Sequence, residues 1–174
     1  NNGEWYELFQ FKNDSYLINI ETINDKELFL SLVKNKEDLD IIKFASKDLR
    51  NDFDLMSICI GIDSSLLLYA SEELQNNFNL VFQAVSKDGT SLNFASDELK
   101  NNKTIVLSAI KEDPHSLKYA SENLKNDKEV ALAAINSDNK TFKYLGQAIK
   151  NDPEIKAKLT NDESTKTSGS SSML

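Results

Sequence analysis

The residues best suited to chemistry lie in one short segment, Asp113-Pro114-His115-Ser116, which holds the only histidine of the chain. A serine, a histidine and an aspartate can form a nucleophilic triad in which the histidine takes the serine proton. These three are only one and two positions apart at a predicted helix start, so their side chains do not face one another. No glycine loop for an oxyanion hole accompanies them. We therefore expect His115 at the surface and no nucleophilic site.

Periodic aspartates are the second candidate for chemistry. They recur every 25 residues, at Asp63, Asp88, Asp113 and Asp138. Carboxylates bind Ca²⁺ well, but stacked helical units lie about 10 Å apart, which is too far for neighbours to share an ion. Helix capping explains them. Gly61 and Gly89 form no glycine-rich phosphate loop. The sequence thus predicts no enzyme and no catalytic, cofactor-binding or metal-binding residue, while the partner-binding residues stay unknown.

An aromatic column is the third candidate. One ring precedes the alanine or leucine of each unit, at Phe44, Tyr69, Phe94, Tyr119 and Tyr144. That position lies about 100° from the predicted buried stripe of a helix, at its margin. We predict that the rings stack between adjacent units as part of the core, although the tyrosine hydroxyls could line the rim of a groove.

The composition limits the classes of partner. The chain has 174 residues, 20 basic and 28 acidic residues and a formal net charge of −8. Nucleic acids and anionic membranes require a dense basic face, and the lysines here are interleaved with acids. We therefore expect no nucleic acid and no membrane as partner. A protein or peptide partner is expected, and a monomer is favoured.

The compartment stays open on sequence grounds. Cys59 is the only cysteine, so no internal disulfide can form, which is compatible with a reducing cytosol and also with secretion. No run of 18 apolar residues occurs. Because the first residue is Asn1 rather than methionine, the sequence is compatible with an upstream segment that is processed away or belongs to a longer chain. We expect a soluble protein, cytoplasmic or exported into a host cell.

A sequence motif of the form Ala-Ser-x-x-Leu recurs every 25 residues, beginning at Ala45, Ala70, Ala95 and Ala120. The periodic residues described above share this spacing, so the repeat determines where they lie. A fixed period in this range is typical of stacked repeats, each of which buries its apolar face against its neighbours. An Asn-Asp or Asn-Asn pair marks each junction. We predict that its first residue ends one helix in the left-handed conformation and that its second residue caps the next helix.

Each unit is predicted to contain two short helices, one from the junction to the periodic aspartate and one from there to the next junction. Apolar residues recur in the first helix at the positions of Leu55, Cys59 and Ile60. Phe82, Leu107 and Leu132 add a second strip, so this helix is predicted to be enclosed on most sides. In the second helix, Leu67, Ala70 and Leu74 form one stripe, while charged residues face solvent, among them Glu72, Glu73, Asp97, Glu98, Lys100, Glu122 and Lys125.

The predicted organisation has three parts. Residues 1–24 form a capping segment rich in aromatic residues, for which two helices are favoured over a hairpin. Residues 25–160 form the repeat domain, an all-α solenoid of five units closed by a terminal helix from Asp152 to Leu159. The first unit is two residues longer, which predicts a surface loop at residues 34–38. Residues 161–174 are predicted to be a disordered tail.

The units LKNNKTIVLSAIKEDPHSLKYASENLKND and LKNDKEVALAAINSDNKTFKYLGQAIKND resemble an uncharacterised repeat family, a domain of unknown function about two hairpins long. The resemblance covers roughly residues 25–156. It implies an all-helical repeat, seen chiefly in bacteria and some protists, including bacteria that live inside host cells. It brings no catalytic residues.

Three functions are compatible with these features. The first is a noncatalytic protein- or peptide-binding scaffold, as a bacterial effector or accessory region. The second is an acidic inhibitor or immunity-type protein that covers a basic site, which predicts that acids cluster on one face. The third is a structural spacer within a longer chain.

Overall fold

The structure is a computed structural model that describes residues 6–11, 14–19, 23–34 and 39–159. Its α-helices are α1 (Lys26–Lys34), α2 (Lys47–Arg50), α3 (Phe53–Ile62), α4 (Glu72–Gln75), α5 (Phe78–Val85), α6 (Asp97–Lys100), α7 (Lys103–Glu112), α8 (Glu122–Lys125), α9 (Lys128–Ser137) and α10 (153–159). Its 3-10 helices are η1 (Leu39–Phe44), η2 (Ser64–Tyr69), η3 (Gly89–Phe94), η4 (Pro114–Tyr119), η5 (Asn139–Tyr144) and η6 (Ile149–Asn151). The predicted helical repeat is confirmed.

The amino-terminal segment contains a hairpin, so the prediction of two helices there was wrong. Strands β1 (Tyr6–Phe11) and β2 (Asp14–Asn19) pair antiparallel, with Tyr6 opposite Asn19 and Phe11 opposite Asp14. The β-branched and aromatic residues of the second strand favour this outcome over helix. Ile23 then joins the first unit, because it is buried and its N–H donates to Phe44 O at 2.7 Å. The capping role of residues 1–24 stays a prediction.

The predicted second helix of each unit is in fact two elements. In the second unit, η2 ends at Ala70, whose backbone is extended (φ −61°, ψ 155°), and α4 begins after Ser71. The serine starts the new helix, because its hydroxyl accepts the Leu74 N–H at 3.2 Å and caps the one-turn helix. The Ala-Ser motif therefore marks the start of a helix and does not lie inside one. The same break recurs in the units that follow.

The junction pairs behave partly as predicted. Asp52 caps α3, since its Oδ1 accepts the Leu55 N–H at 2.9 Å, and this prediction is confirmed. Asn51 is not left-handed (φ −100°, ψ 2°), so that prediction was wrong. Its side chain instead crosses to the next unit, where Ser71 Oγ donates to Asn51 Oδ1 at 2.5 Å. The asparagine thus links units rather than reversing the chain.

One core runs through all the described units. The long helices α1, α3, α5, α7 and α9 contact one another in succession along the chain, and so do the 3-10 helices from η1 to η5. The predicted positions Leu55, Cys59 and Ile60 are fully buried. A fourth buried column was not anticipated, at Met56, Val81, Val106 and Ala131.

The second apolar strip of the long helices is more exposed to solvent than predicted. Phe82 is 39% exposed, and Leu107 and Leu132 are only partly buried. The prediction that this helix is enclosed on most sides was therefore wrong, because its fully buried positions fill one face only.

At the carboxyl end, Asp152 caps α10 by accepting the Glu154 N–H at 2.8 Å, and Ile155 is fully buried. The predicted tail, residues 161–174, and the predicted loop residues 35–38 lie outside the described part of the chain. Within the described residues, no helix combines the length and apolar character needed to cross a bilayer.

Candidate partner-binding surface

Asp113, His115 and Ser116 do not form a catalytic triad. The His115 imidazole lies between two carboxylates, with Nδ1 3.6 Å from Asp113 Oδ1 and Nε2 3.6 Å from Asp138 Oδ2. Ser116 is fully buried, and its hydroxyl is among the few buried side-chain groups of the described residues with no hydrogen-bond partner. The serine therefore neither hydrogen-bonds to the histidine nor faces solvent. His115 is half-buried and packs edge-on against Tyr144, with ring centroids 5.9 Å apart.

The periodic aspartates are caps, as predicted. Each accepts the N–H of the second residue after it, at 2.8 to 2.9 Å: Asp63 from Ser65, Asp88 from Thr90, Asp113 from His115 and Asp138 from Lys140. The part of the chain that the structure describes contains no cluster of three or more His, Cys, Asp or Glu that could hold a metal ion.

The aromatic column packs against the core, as predicted. All five rings are half-buried at its margin. Lysines lie over several of them, with Lys43 Nζ 5.2 Å from the Phe44 centroid, Lys118 Nζ 4.6 Å from that of Tyr119 and Lys143 Nζ 4.8 Å from that of Tyr144. These contacts cover the outer ring faces with hydrocarbon and charge.

A row of ion pairs joins the first turns of the long helices. In each case a lysine at the first helical position contacts the capping aspartate of the next unit. The pairs are Lys26 with Asp52 at 2.5 Å, Lys103 with Asp127 at 3.0 Å and Lys128 with Asp152 at 3.2 Å. Lys103 and Lys128 also contact Glu129 and Glu154, at 2.7 and 2.9 Å.

These pairs shift the carboxyl pKa values. The hydrogen bond from Lys26 is the largest effect on Asp52 and lowers its pKa. Partial burial alone would raise the pKa of Asp127 and of Asp152, but hydrogen bonds from backbone amides and from the partner lysine outweigh it, and both pKa values are lowered. All three carboxylates are therefore better stabilised in the folded chain than in water.

Two phenylalanines interrupt this row in the middle of the repeat. Phe53 and Phe78 occupy the lysine position, and the next caps are Asn77 and Asn102 instead of aspartate. Lysine is thus always followed by aspartate, and phenylalanine always by asparagine. Asparagine keeps the cap without leaving a carboxylate beside an aromatic ring that cannot neutralise it.

The interruption exposes a group of aromatic rings, here called the phenylalanine cluster (Phe53, Phe78 and Phe82). These side chains are 40%, 42% and 39% exposed. Phe78 and Phe82 are one helical turn apart and stack with ring centroids 5.9 Å apart and an interplanar angle of 11°. Phe53 occupies the position equivalent to Phe78 on α3, which packs on α5. Large exposed apolar groups on adjacent helices are typical of interaction surfaces.

Hydrogen bonds hold the helices beneath the cluster in register. Ser57 Oγ donates to Gln83 Oε1 at 2.9 Å, and Gln83 Nε2 donates to Ser57 O at 3.0 Å. Lys87 Nζ donates to Ile60 O at 3.3 Å near the end of α3. The rings of the cluster therefore stand on two helices whose relative position is fixed by side-chain contacts.

A second surface, here called the acidic row, lies on the one-turn helices. It consists of exposed carboxylates at equivalent or adjacent positions of consecutive units: Asp48, Glu72, Glu73, Asp97, Glu98 and Glu122. Glu73 and Glu98 are fixed by the junction asparagines, because Asn51 and Asn76 donate to them at 3.2 and 3.0 Å. The acids at these positions thus line one edge of the repeat.

Comparison with known proteins identifies the repeat. The family model described as "Domain of unknown function (DUF4116)" matches residues 25–75, 53–100, 77–125 and 102–150. The chain belongs to the DUF4116 family. Each match spans about two units, which agrees with the predicted family length of two hairpins. Each match also begins at or beside a junction. No curated protein and no solved structure matches the chain significantly.

Within this DUF4116 chain, the repeated residues and the exposed rings are different sets. The capping and core residues recur in nearly every unit, whereas Phe53 and Phe78 occur only where two units depart from the lysine pattern. Sequence reasoning missed the cluster, although the signal was present in the column Lys26, Phe53, Phe78, Lys103 and Lys128. Comparing the residue types at this position from unit to unit would have revealed that phenylalanine replaces lysine in the middle units.

Proposed function

We propose that this chain is a noncatalytic α-solenoid that binds a protein or peptide partner, as a bacterial effector or accessory region. The order of helix contacts supports a solenoid, since α3 packs on α5, α5 on α7 and α7 on α9. Stacks of this kind present the surfaces of side-by-side helices to partners.

The phenylalanine cluster carries the proposal. Aromatic side chains dominate the binding energy of protein interfaces, and they do so best when they are held on a rigid support. Phe78 and Phe82 are fixed by their stacking and by the hydrogen-bonded helices beneath them. Leaving three large rings in water has no evident benefit for the fold, because the same positions elsewhere hold lysine, serine or leucine.

Charge selects the kind of partner. Around the cluster, the first turns of α1, α3 and α7 carry the lysines Lys26 and Lys103 and the carboxylates of Glu27, Asp52 and Asp54. The acids outnumber the bases there, and the whole chain has a net charge of −8. The partner segment is therefore apolar at its centre and basic at its flanks.

Selection from a random peptide library tests this proposal. The full chain should enrich peptides with aromatic or aliphatic residues next to lysine or arginine. The variant with Phe53→Ser, Phe78→Ser and Phe82→Ser should bind them at least about tenfold more weakly, since each lost aromatic anchor weakens binding. Leu68→Ser is the matched control, because Leu68 is 49% exposed on a 3-10 helix outside the cluster.

Equal melting temperatures of the variants are required before their affinities are compared. Retention of the same peptides by the triple variant would contradict the proposal. Enrichment of no peptide would also contradict it, and would favour a spacer.

The acidic row favours a second candidate, an inhibitor of an enzyme with a basic active site. Its carboxylates repeat along one edge, which would suit a complementary row of lysines or arginines. The chain should then inhibit at least one member of a panel of basic nucleases, and high salt should weaken the inhibition. Glu72→Lys with Glu73→Lys should remove it. Absence of inhibition across the panel at low salt would reject this candidate.

A further inference from the structure

The groove between the last two units has the opposite charge to the rest of the chain. A cavity of about 320 Å³ is lined there by the ammonium-bearing side chains of Lys118, Lys125, Lys143 and Lys150, against the single carboxylate of Glu122. We call it the lysine pocket. The corresponding cavity between the first two units is about 590 Å³ and is lined by Lys47 and Arg50 but also by Asp48, Glu72 and Glu73.

Substitutions at equivalent repeat positions produce this difference. Lys118 and Lys143 stand where the second and third units have Leu68 and Asn93. Gln147 stands where three earlier units have an acid, Glu72, Asp97 and Glu122. Relative to the second and third units, two bases are gained and one acid is lost, all at exposed positions. The core around η5 also changes, with Phe142 in place of leucine and Leu145 in place of alanine. The charge of the lysine pocket therefore comes from exposed side chains, while the packing beneath it is specific to the last unit.

Side-chain contacts hold two of the lysines against the lining of the pocket. Lys125 Nζ contacts Glu122 Oε1 at 2.9 Å, and its side chain is only 18% exposed. Lys150 Nζ donates to Lys143 O at 3.3 Å and lies 5.7 Å from the Phe142 centroid. The pKa of Lys118 is raised, first by its hydrogen bond with Tyr119, so this amine stays protonated.

One wall of the pocket is rebuilt around a glycine. Gly146 replaces the capping serine of the preceding units, and a Cβ at this position would overlap the Asn126 side chain. Asn126 Oδ1 instead accepts the N–H groups of Ala148 and Ile149, at 3.1 and 3.4 Å. The groove therefore lacks both the serine and the acid that its counterparts carry.

We propose that the lysine pocket binds a phosphate monoester. Its lining carries three more positive than negative charges, which suits a compact dianion, and lysines bind phosphate as point charges without needing the planar fork of arginine. Asp113 lies outside the lining but close enough to act on Lys118, whereas charges beyond about 8 Å are largely screened at physiological salt, so the more distant acids do not cancel the local charge. The volume lies near the lower end of small-ligand sites, which fits a phosphate group with a short organic portion.

The phosphate group can belong to a small metabolite or to a phosphorylated side chain. Nuclear magnetic resonance titration of the full chain with inorganic phosphate, glycerol phosphate and a short phosphoserine peptide, at constant ionic strength, tests the site and separates the sources. We expect saturable shifts of the Gly146 and Lys118 amides. Tighter binding of the peptide than of glycerol phosphate identifies a phosphorylated protein as the source, and the reverse order identifies a metabolite.

Two variants and one control make the test specific. Gln147→Glu restores the carboxylate of the second, third and fourth units and should weaken phosphate binding at least about tenfold without affecting the fold. Lys118→Met with Lys143→Met should abolish it. Lys111→Met, an exposed lysine on α7 outside the pocket, should leave binding unchanged. Absence of saturable shifts in the wild-type chain, or equal affinity in Gln147→Glu, would overturn the proposal.

Discussion

At the scale of single residues, Gly89 shows how closely adjacent units approach. A Cβ added there would overlap the carbonyl oxygen of Ala109 and lie 2.7 Å from Ser116 Oγ. Backbone atoms of the next long helix cannot move away without shifting the whole helix. The glycine is therefore needed at the contact between the third and fourth units, whereas the equivalent positions elsewhere hold Ser64, Pro114 and Asn139.

Gly89→Ala should lower the free energy of unfolding by about 1 to 3 kcal/mol, because it overpacks this contact. Gly61→Ala is the matched control, since only Gln83 Nε2 lies near its added Cβ, at 3.9 Å. Gly61 lies in α3, so alanine there should stabilise the chain by up to about 1 kcal/mol. Urea unfolding measures both. Equal midpoints for the two variants would contradict the close approach of the units.

Ala109 is the residue on the other side of this contact. It is fully buried on α7. Ala109→Phe should lower the free energy of unfolding by about 1 to 3 kcal/mol, since the added ring has no space. Leu107→Phe on the same helix is the control, because Leu107 is only partly buried. An unchanged melting curve for Ala109→Phe would refute the assignment of Ala109 to the packed face.

At the scale of elements, the helix caps decide where each short segment begins. Ser96 illustrates this, because its hydroxyl accepts the Leu99 N–H at 3.2 Å and donates to Asn76 Oδ1 at 2.5 Å. One side chain therefore starts α6 and binds the preceding unit. The Asp or Asn after each junction asparagine caps a long helix in the same way. From the second unit on, where this cap is an aspartate, it also pairs with a lysine of the preceding unit.

These element boundaries were only partly predictable. The caps Asp52 and Asp63 follow from local sequence, because their hydrogen bonds span two or three residues. The break before Ser71 was missed because the apolar spacing of Leu67, Ala70 and Leu74 fits a continuous helix equally well. The role of Asn51 depends on Ser71, 20 residues away, which no local pattern reveals.

The ion-pair row predicts a pH dependence of stability. The folded-state pKa values of Asp52, Asp127 and Asp152 are lowered, so the unfolded chain binds more protons at acidic pH and stability rises with pH. This stabilisation is complete above the unfolded pKa of about 4 and is lost as the pH falls through the lower folded values.

Asp127→Asn isolates the charge, because asparagine already caps two of the middle helices. The variant should melt below the wild type at pH 7, and the difference should shrink as the pH falls below about 4. Thermal melts between pH 2 and pH 7 measure it. A difference that is the same at every pH would contradict the lowered pKa of Asp127.

At the scale of the whole molecule, the repeat supplies the fold and the departures from it supply the distinctive surfaces. The helical repeat was predictable because capping and core residues recur at a fixed period. The phenylalanine cluster and the lysine pocket were not found, because composition averages over the chain and lysines seemed evenly interleaved with acids. Lys118 and Lys143, like Lys125 and Lys150, are 25 residues apart, so the repeat brings them to one groove.

The central claim is that the phenylalanine cluster serves recognition and is not needed for folding. Restoring the lysine pattern in the middle units tests it, with Phe53→Lys and Asn77→Asp in one pair and Phe78→Lys and Asn102→Asp in the next. The new pairs should form as Lys103 and Asp127 do. The measurement is the free energy of urea unfolding of this fourfold variant.

We predict that the fourfold variant is at least as stable as the wild type and no longer binds the selected peptides. A loss of about 3 kcal/mol or more, as expected when a core phenylalanine is removed, would contradict the account and make these rings part of the fold.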